Sequence, residues 1–175
     1  MKKYFLVLVI LFIAFNNATA QPSNNPFLEA FFKKWENSKK YTLEVAKLMP
    51  ADRYDFKPTA EEMTFSEQLL HMAGNINWLS SSYLGGKHKK LYPDDLKNKS
   101  KEETIRIISE AYDSAANAIK EFKSEQLIDT VRFFAGPMNK LQVINLLNDH
   151  QTHHRGQAIV YLRLNGIKPP AYSGW

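Results

Sequence analysis

The chain has no cysteine. That excludes disulfides, thiolate zinc sites, cysteine nucleophiles and a lipidated-cysteine anchor, so stability must come from a packed core. No P-loop, GxGxxG or CxxC segment occurs, and no Ser-His-Asp order is present. Internal repeats and low-complexity stretches are also missing. The one long apolar run, Tyr4 to Phe15, is too short to span a bilayer, which needs roughly 20 residues. A large charge excess is lacking too. Lysine and arginine number 23 against 18 acids, for a formal charge of +5. That is a solubilising charge rather than a nucleic-acid footprint, so no nucleic-acid partner is expected. The densest basic patch, Lys87-His88-Lys89-Lys90, lies between Gly85-Gly86 and Pro93 and reads as a solvated loop.

The N-terminus reads as a secretory signal peptide over residues 1–20. Lys2 and Lys3 form its charged region, Tyr4 to Phe15 its apolar region, and Ala18-Thr19-Ala20 its cleavage site. Cleavage after Ala20 leaves residues 21–175 as one domain, exported to the periplasm or beyond, with no stable membrane anchor. It also removes two lysines and no acid, so the charge falls from +5 to +3.

In the remainder, apolar residues recur every three or four positions, the period of an amphipathic helix. The first helix starts at Pro26 behind Asn25 and carries Phe27, Phe31, Trp35, Ser38, Thr42, Val45 and Met49 on one stripe, with a polar break in its middle. A capping box at Thr64 and Glu67 opens the second, Phe65 to about Leu84, which Gly85-Gly86 ends. Ser100 and Glu103 open the third, from about Lys101 to Lys123. The fourth runs from near Asn139 to Asn165-Gly166, with Lys168-Pro169-Pro170 barring continuation. Asp129 to Met138 reads as an extended connection, because its strand-like part, Thr130 to Phe134, has no obvious partner. The expected fold is all-α, a four-helix bundle, and its longer connections imply at least one crossover.

Histidines concentrate on two of these helices. His150 and His154 are four residues apart, which stacks two imidazoles on one helical face. They continue the stripe Val143, Leu146, Leu147 and so point into the bundle. His71 lies on helix two in a polar line with Gln68 and Asn75. Buried polar groups cost free energy unless paired, and a metal with its supporting groups accounts for such a line. Three histidines with an open position are the usual catalytic zinc arrangement. His153 lies about 60° from His150 around the helix, so spacing also admits a 150–153 pair. Trp78 is a candidate pocket wall, and His153 and Gln157 are candidates for a supporting role. Zinc is the default cation by ligand type, with nickel or iron also compatible with imidazole.

The segments QLLHMAGNINW, DHQTHHRGQAIVYLR and NGIKPPAYSGW resemble the DinB-like family of metal-binding four-helix bundles, and the likeness covers nearly all of the mature chain. The resemblance implies a metal held by His71, His150 and His154, and a homodimer. It implies less about chemistry, because some relatives are thiol-dependent S-transferases or isomerases and others are described as metal-dependent hydrolases. Export disfavours thiol cofactors, which are cytosolic. The expectation is therefore a hydrolase acting on a small molecule. A thiol S-transferase and a non-catalytic metal or small-molecule binding module are the alternatives.

Overall fold

The computed structural model describes residues 25–87, 91 and 93–175. The signal-peptide reading of residues 1–20 falls outside these, as do His88, Lys89 and Lys90 of the basic patch. Four helices make the body: α1 (Pro26–Leu48), α2 (Phe65–Tyr83), α3 (Lys101–Lys120) and α4 (Lys140–Leu164). Their starts follow local chemistry. Asn25 accepts from the amides of Phe27 and Leu28, and Thr64 with Glu67 and Ser100 with Glu103 form reciprocal capping boxes. A third box, Asn139 with Gln142, opens α4. At the far end of α4, Gly166 sits at φ +72° while its amide and that of Ile167 bond back to Arg163 and Leu162, closing the helix.

The helices do not alternate in direction. Ser66 meets Thr104 at the starts of α2 and α3, and Gly85-Gly86 lies beside Asn117 and Glu121 near the end of α3, so α2 and α3 run parallel. Lys101 at the start of α3 donates to the carbonyls of Lys47 and Met49 at the end of α1, so α1 runs against α3. Gln68 near the start of α2 reaches Tyr161 near the end of α4, so α4 runs against α2. The crossover expected from the connection lengths is thus the segment from Leu84 to Ser100, which must travel back along the bundle. It is tied to α2 by the Leu91 amide donating to Asn77 Oδ1 (2.8 Å).

The connection before α4 departs from expectation. Thr130 to Phe133 (β1) does have a partner, Gly136 to Asn139 (β2), in an antiparallel hairpin that pairs Thr130 with Asn139 and Phe133 with Gly136. The partner strand escapes notice because Gly136 and Pro137 read as breakers. In a two-stranded sheet both strands are edges, where a proline costs least. The polar break on α1 is also resolved. Ser38 and Thr42 are buried, and the buried Arg155 of α4 donates to both (2.6 and 3.3 Å), with its guanidinium 5.2 Å from the Tyr41 ring centre. Tyr112 Oη joins the same two hydroxyls.

Candidate metal centre

α2 and α4 place His71, His150 and His154 around one point. One ring nitrogen from each lies within 4.8 Å of the other two, so the three could hold a metal ion. Their ring centroids are 4.5 to 5.0 Å apart. Depth is graded: His154 is buried, His150 half-buried and His71 exposed. The set therefore closes toward the bundle interior and opens past His71.

All three imidazoles are held neutral. Burial is the leading cause in each case. It lowers His71 below its usual value, and with the neighbouring histidines it brings His150 and His154 down to about 4. Neutral imidazole is the form that ligates a cation. No hydrogen bond joins these rings to one another among the described residues, and His150 Nδ1 is buried without a partner. A purely structural histidine cluster would satisfy those nitrogens internally. The donor set fits a divalent cation better than it fits a core.

The supporting groups fix the chemistry of His154. Tyr161 donates to the Met63 carbonyl (2.9 Å), so its oxygen accepts from Gln68 Nε2 (3.3 Å). Gln68 Nε2 also donates to Gln157 Oε1 (2.7 Å). With its amide nitrogen committed there, Gln68 presents Oε1 to His154 Nδ1 at 2.6 Å. His154 must then carry its proton on Nδ1 and offer Nε2 as the ligating nitrogen. Gln157 Nε2 continues outward to His153 Nε2 (3.0 Å).

The expected residues thus divide. His71, His150 and His154 come together, and Gln68 and Gln157 support them. His153 is exposed and touches the group only through Gln157 and the edge of His154. Asn75 lies beside the site with Oδ1 buried and unpartnered, and Trp78 lines the adjoining cavity. Tyr161, which anchors the network, carries no signal in the sequence beyond its place in the segment DHQTHHRGQAIVYLR.

The open side of the site leads into a cavity of about 1010 Å³. One face of α2 lines it from end to end, through Glu67, Leu70, His71, Gly74, Asn75 and Trp78, at helical spacing. The crossover supplies the opposite wall with Leu91, Pro93 and Leu96. Gly74 permits this close approach, because a Cβ there would stand 2.9 Å from Leu96 Cδ1. No pattern in the sequence announces that wall.

A helical bundle with a three-histidine group between two antiparallel helices defines a class, and the comparisons place the chain within it. A profile of the DinB family matches residues 20–174, and the chain belongs to that family. It resembles the uncharacterized protein YjoA of Bacillus subtilis (strain 168), with 26% identity over 129 residues, 71% of this chain and 82% of that one. The fold is similar to a DinB-like protein from Bacillus cereus ATCC 10987, with a TM-score of 0.74 and 21% identity, covering 82% of this chain and 96% of that one. It is also similar to the crystal structure of YjoA, with a TM-score of 0.65 and 18% identity, covering 85% and 97%.

Proposed function

We propose that this protein is an exported, divalent-metal-dependent hydrolase of the DinB family, acting as a homodimer on a small molecule. The observation that carries the reading is the convergence of three neutral imidazoles, one of which, His71, lines an open cavity. His71, His150 and His154 would hold the cation, with zinc favoured by an all-imidazole set. When bound, such a cation supplies Lewis acidity and makes water nucleophilic near neutral pH. Gln68 keeps the His154 ring turned toward the site and fixes its proton on Nδ1. Asn75 offers an amide oxygen free to orient a polar group beside His71. The signal-like N-terminus supports hydrolysis over thiol transfer, because thiol cofactors are cytosolic.

Elemental analysis of the exported, untagged protein tests the centre. About one metal per chain is expected, lost in both His71→Ala and His154→Ala. Turnover of esters, amides and lactones by the loaded protein tests the reaction. Folded wild type without metal would overturn the metal, and a loaded protein inert across the panel would overturn the hydrolase. Fractionation of cells and sedimentation of the mature chain check export and dimerisation.

A further inference from the structure

The cavity has ends of different chemistry. Around the second half of α2 its walls are Trp78, Leu91 and Pro93 with Asn77, Ser81 and Ser82, while Leu70 and Leu96 line its middle. Trp78 is 37% exposed and backed by the ring of Phe133, with centroids 5.6 Å apart. Seven residues separate His71 from Trp78, so the indole stands about 10 Å along the helix axis from the metal-ligating ring and on nearly the same face. Toward the other end lie Glu61, Glu62 and Glu67, with Lys57 and Lys97.

These charges are not equally free. Lys97 pairs with Asp94 at 2.7 Å, and Lys57 Nζ donates to the Ala60 carbonyl at 3.0 Å. Glu67 is occupied by its capping box, accepting from the Thr64 amide. Glu61 and Glu62 form no ion pair among the described residues, and Glu62 Oε2 lies 3.5 Å from Tyr161 Oη, whose proton goes to the Met63 carbonyl. Tyr161 also bonds Gln68, one turn before His71, which sets Glu62 close to the histidine group. With Lys97 offset by Asp94, three carboxylates stand against Lys57 alone, so a ligand filling the cavity meets a net negative end opposite an aromatic shelf. Apolar walls with a few placed charges are how small-molecule sites select an orientation.

We propose that the cavity takes an amphipathic amine. Its ammonium sits against Glu61 and Glu62, its apolar body lies along Leu70 and Leu96, and its far end stacks on Trp78. The group to be hydrolysed passes His71 between them. Only this last placement rests on the hydrolase reading.

The test uses the full-length mature protein and calorimetry with three probes. On metal-free protein, 8-phenyloctylamine is expected to bind at least about tenfold more tightly than 8-phenyloctanoate, since opposite end charges meet the same carboxylates. The preference should vanish in Glu61→Gln/Glu62→Gln, two exposed positions whose change leaves the fold intact by circular dichroism. Trp78→Ala should weaken both probes by about tenfold or more. Equal binding of the two probes, tighter binding of the carboxylate, a preference surviving the double variant, or binding indifferent to Trp78 would each overturn the proposal. Acetohydroxamate on zinc-loaded protein reads the metal alone. Its failure to bind, with the amine pattern intact, would sink the metal reading and leave the amine site standing.

Discussion

Replacing Gln68 by leucine separates the support of the metal group from the group itself. Gln68 is 1% exposed, so the change is confined to the interior, and leucine keeps close to the original volume. Three hydrogen bonds go: to His154 Nδ1 (2.6 Å), Gln157 Oε1 (2.7 Å) and Tyr161 Oη (3.3 Å). Tyr161 keeps its bond to the Met63 carbonyl, and Gln157 is half-buried with access to water. Stability should fall by only about 1 kcal/mol, because most groups left behind find other partners. Metal affinity should suffer more. His154 loses the acceptor that selects its tautomer and raises its basicity, and loss of such a partner costs about 10- to 100-fold in affinity, or ~1.4 to 2.7 kcal/mol. Gln68→Glu keeps an acceptor on Nδ1 and should bind metal at least as tightly as wild type. Competition against a chromophoric chelator measures both variants, with urea unfolding as the control. Unchanged affinity in Gln68→Leu would refute the argument that the Met63–Tyr161–Gln68 chain orients His154.

Acid should destabilise the metal-free protein in a defined window. His150 and His154 are lowered from 6.5 to about 4 in the fold, so the unfolded chain takes up protons first as pH falls, and stability drops between pH 6.5 and 4. The pair should cost roughly 3 kcal/mol in all, after discounting for shared repulsion and solvent screening, and a fold as stable at pH 4 as at pH 7 by chemical denaturation would contradict this. Arg155→Ala should destabilise by ~3 kcal/mol through a cavity and lost packing, whereas Arg155→Met should cost no more than ~1 kcal/mol, because the buried guanidinium has no carboxylate partner among the described residues. Equal losses in the two, read by urea midpoints, would show that the charge is essential. Asn139→Ala removes the acceptor for the Gln142 amide and should cost about 1 kcal/mol with metal content unaltered. Leu96→Ala should widen the cavity and change the binding of 8-phenyloctylamine while elemental analysis still finds the full metal complement.

What the sequence made legible tracks the range of the interactions. Helix starts depend on residues three apart, so Thr64, Ser100 and Asn25 could be read directly. The three-histidine group is nearly as local, since His150 and His154 share a helix face and His71 lies in a polar line that an apolar core does not explain. The hairpin partner was hidden because its composition, Gly-Pro-Met-Asn, opposes a strand, and only pairing with Thr130 to Phe133 creates it. The role of Arg155 needed α1 and α4 side by side before the Ser38 and Thr42 break became a binding surface for a guanidinium. Tyr161 was hidden for a similar reason, since its hydroxyl acts on residues more than ninety positions away.

The crossover links topology to specificity. Because α2 and α3 are parallel, the chain between them must return over a helix of 19 residues, about 28 Å at ~1.5 Å per residue. Spanning that distance takes at least about nine extended residues, and the segment from Gly85 to Ser100 exceeds it. The excess allows the connection to fold against α2 instead of running straight. It packs Leu96 onto Gly74, hangs Leu91 from Asn77, and turns a bare helix face into the wall of a cavity. The three histidines sit on rigid helices, while the opposite wall of the cavity is loop. Loops accept substitution more readily than helices packed on two sides. Changes in Leu91, Pro93 or Leu96 should therefore alter what the cavity accepts and leave the three histidines in place, and a change that disturbed both together would show that the loop carries structural load for α2 itself.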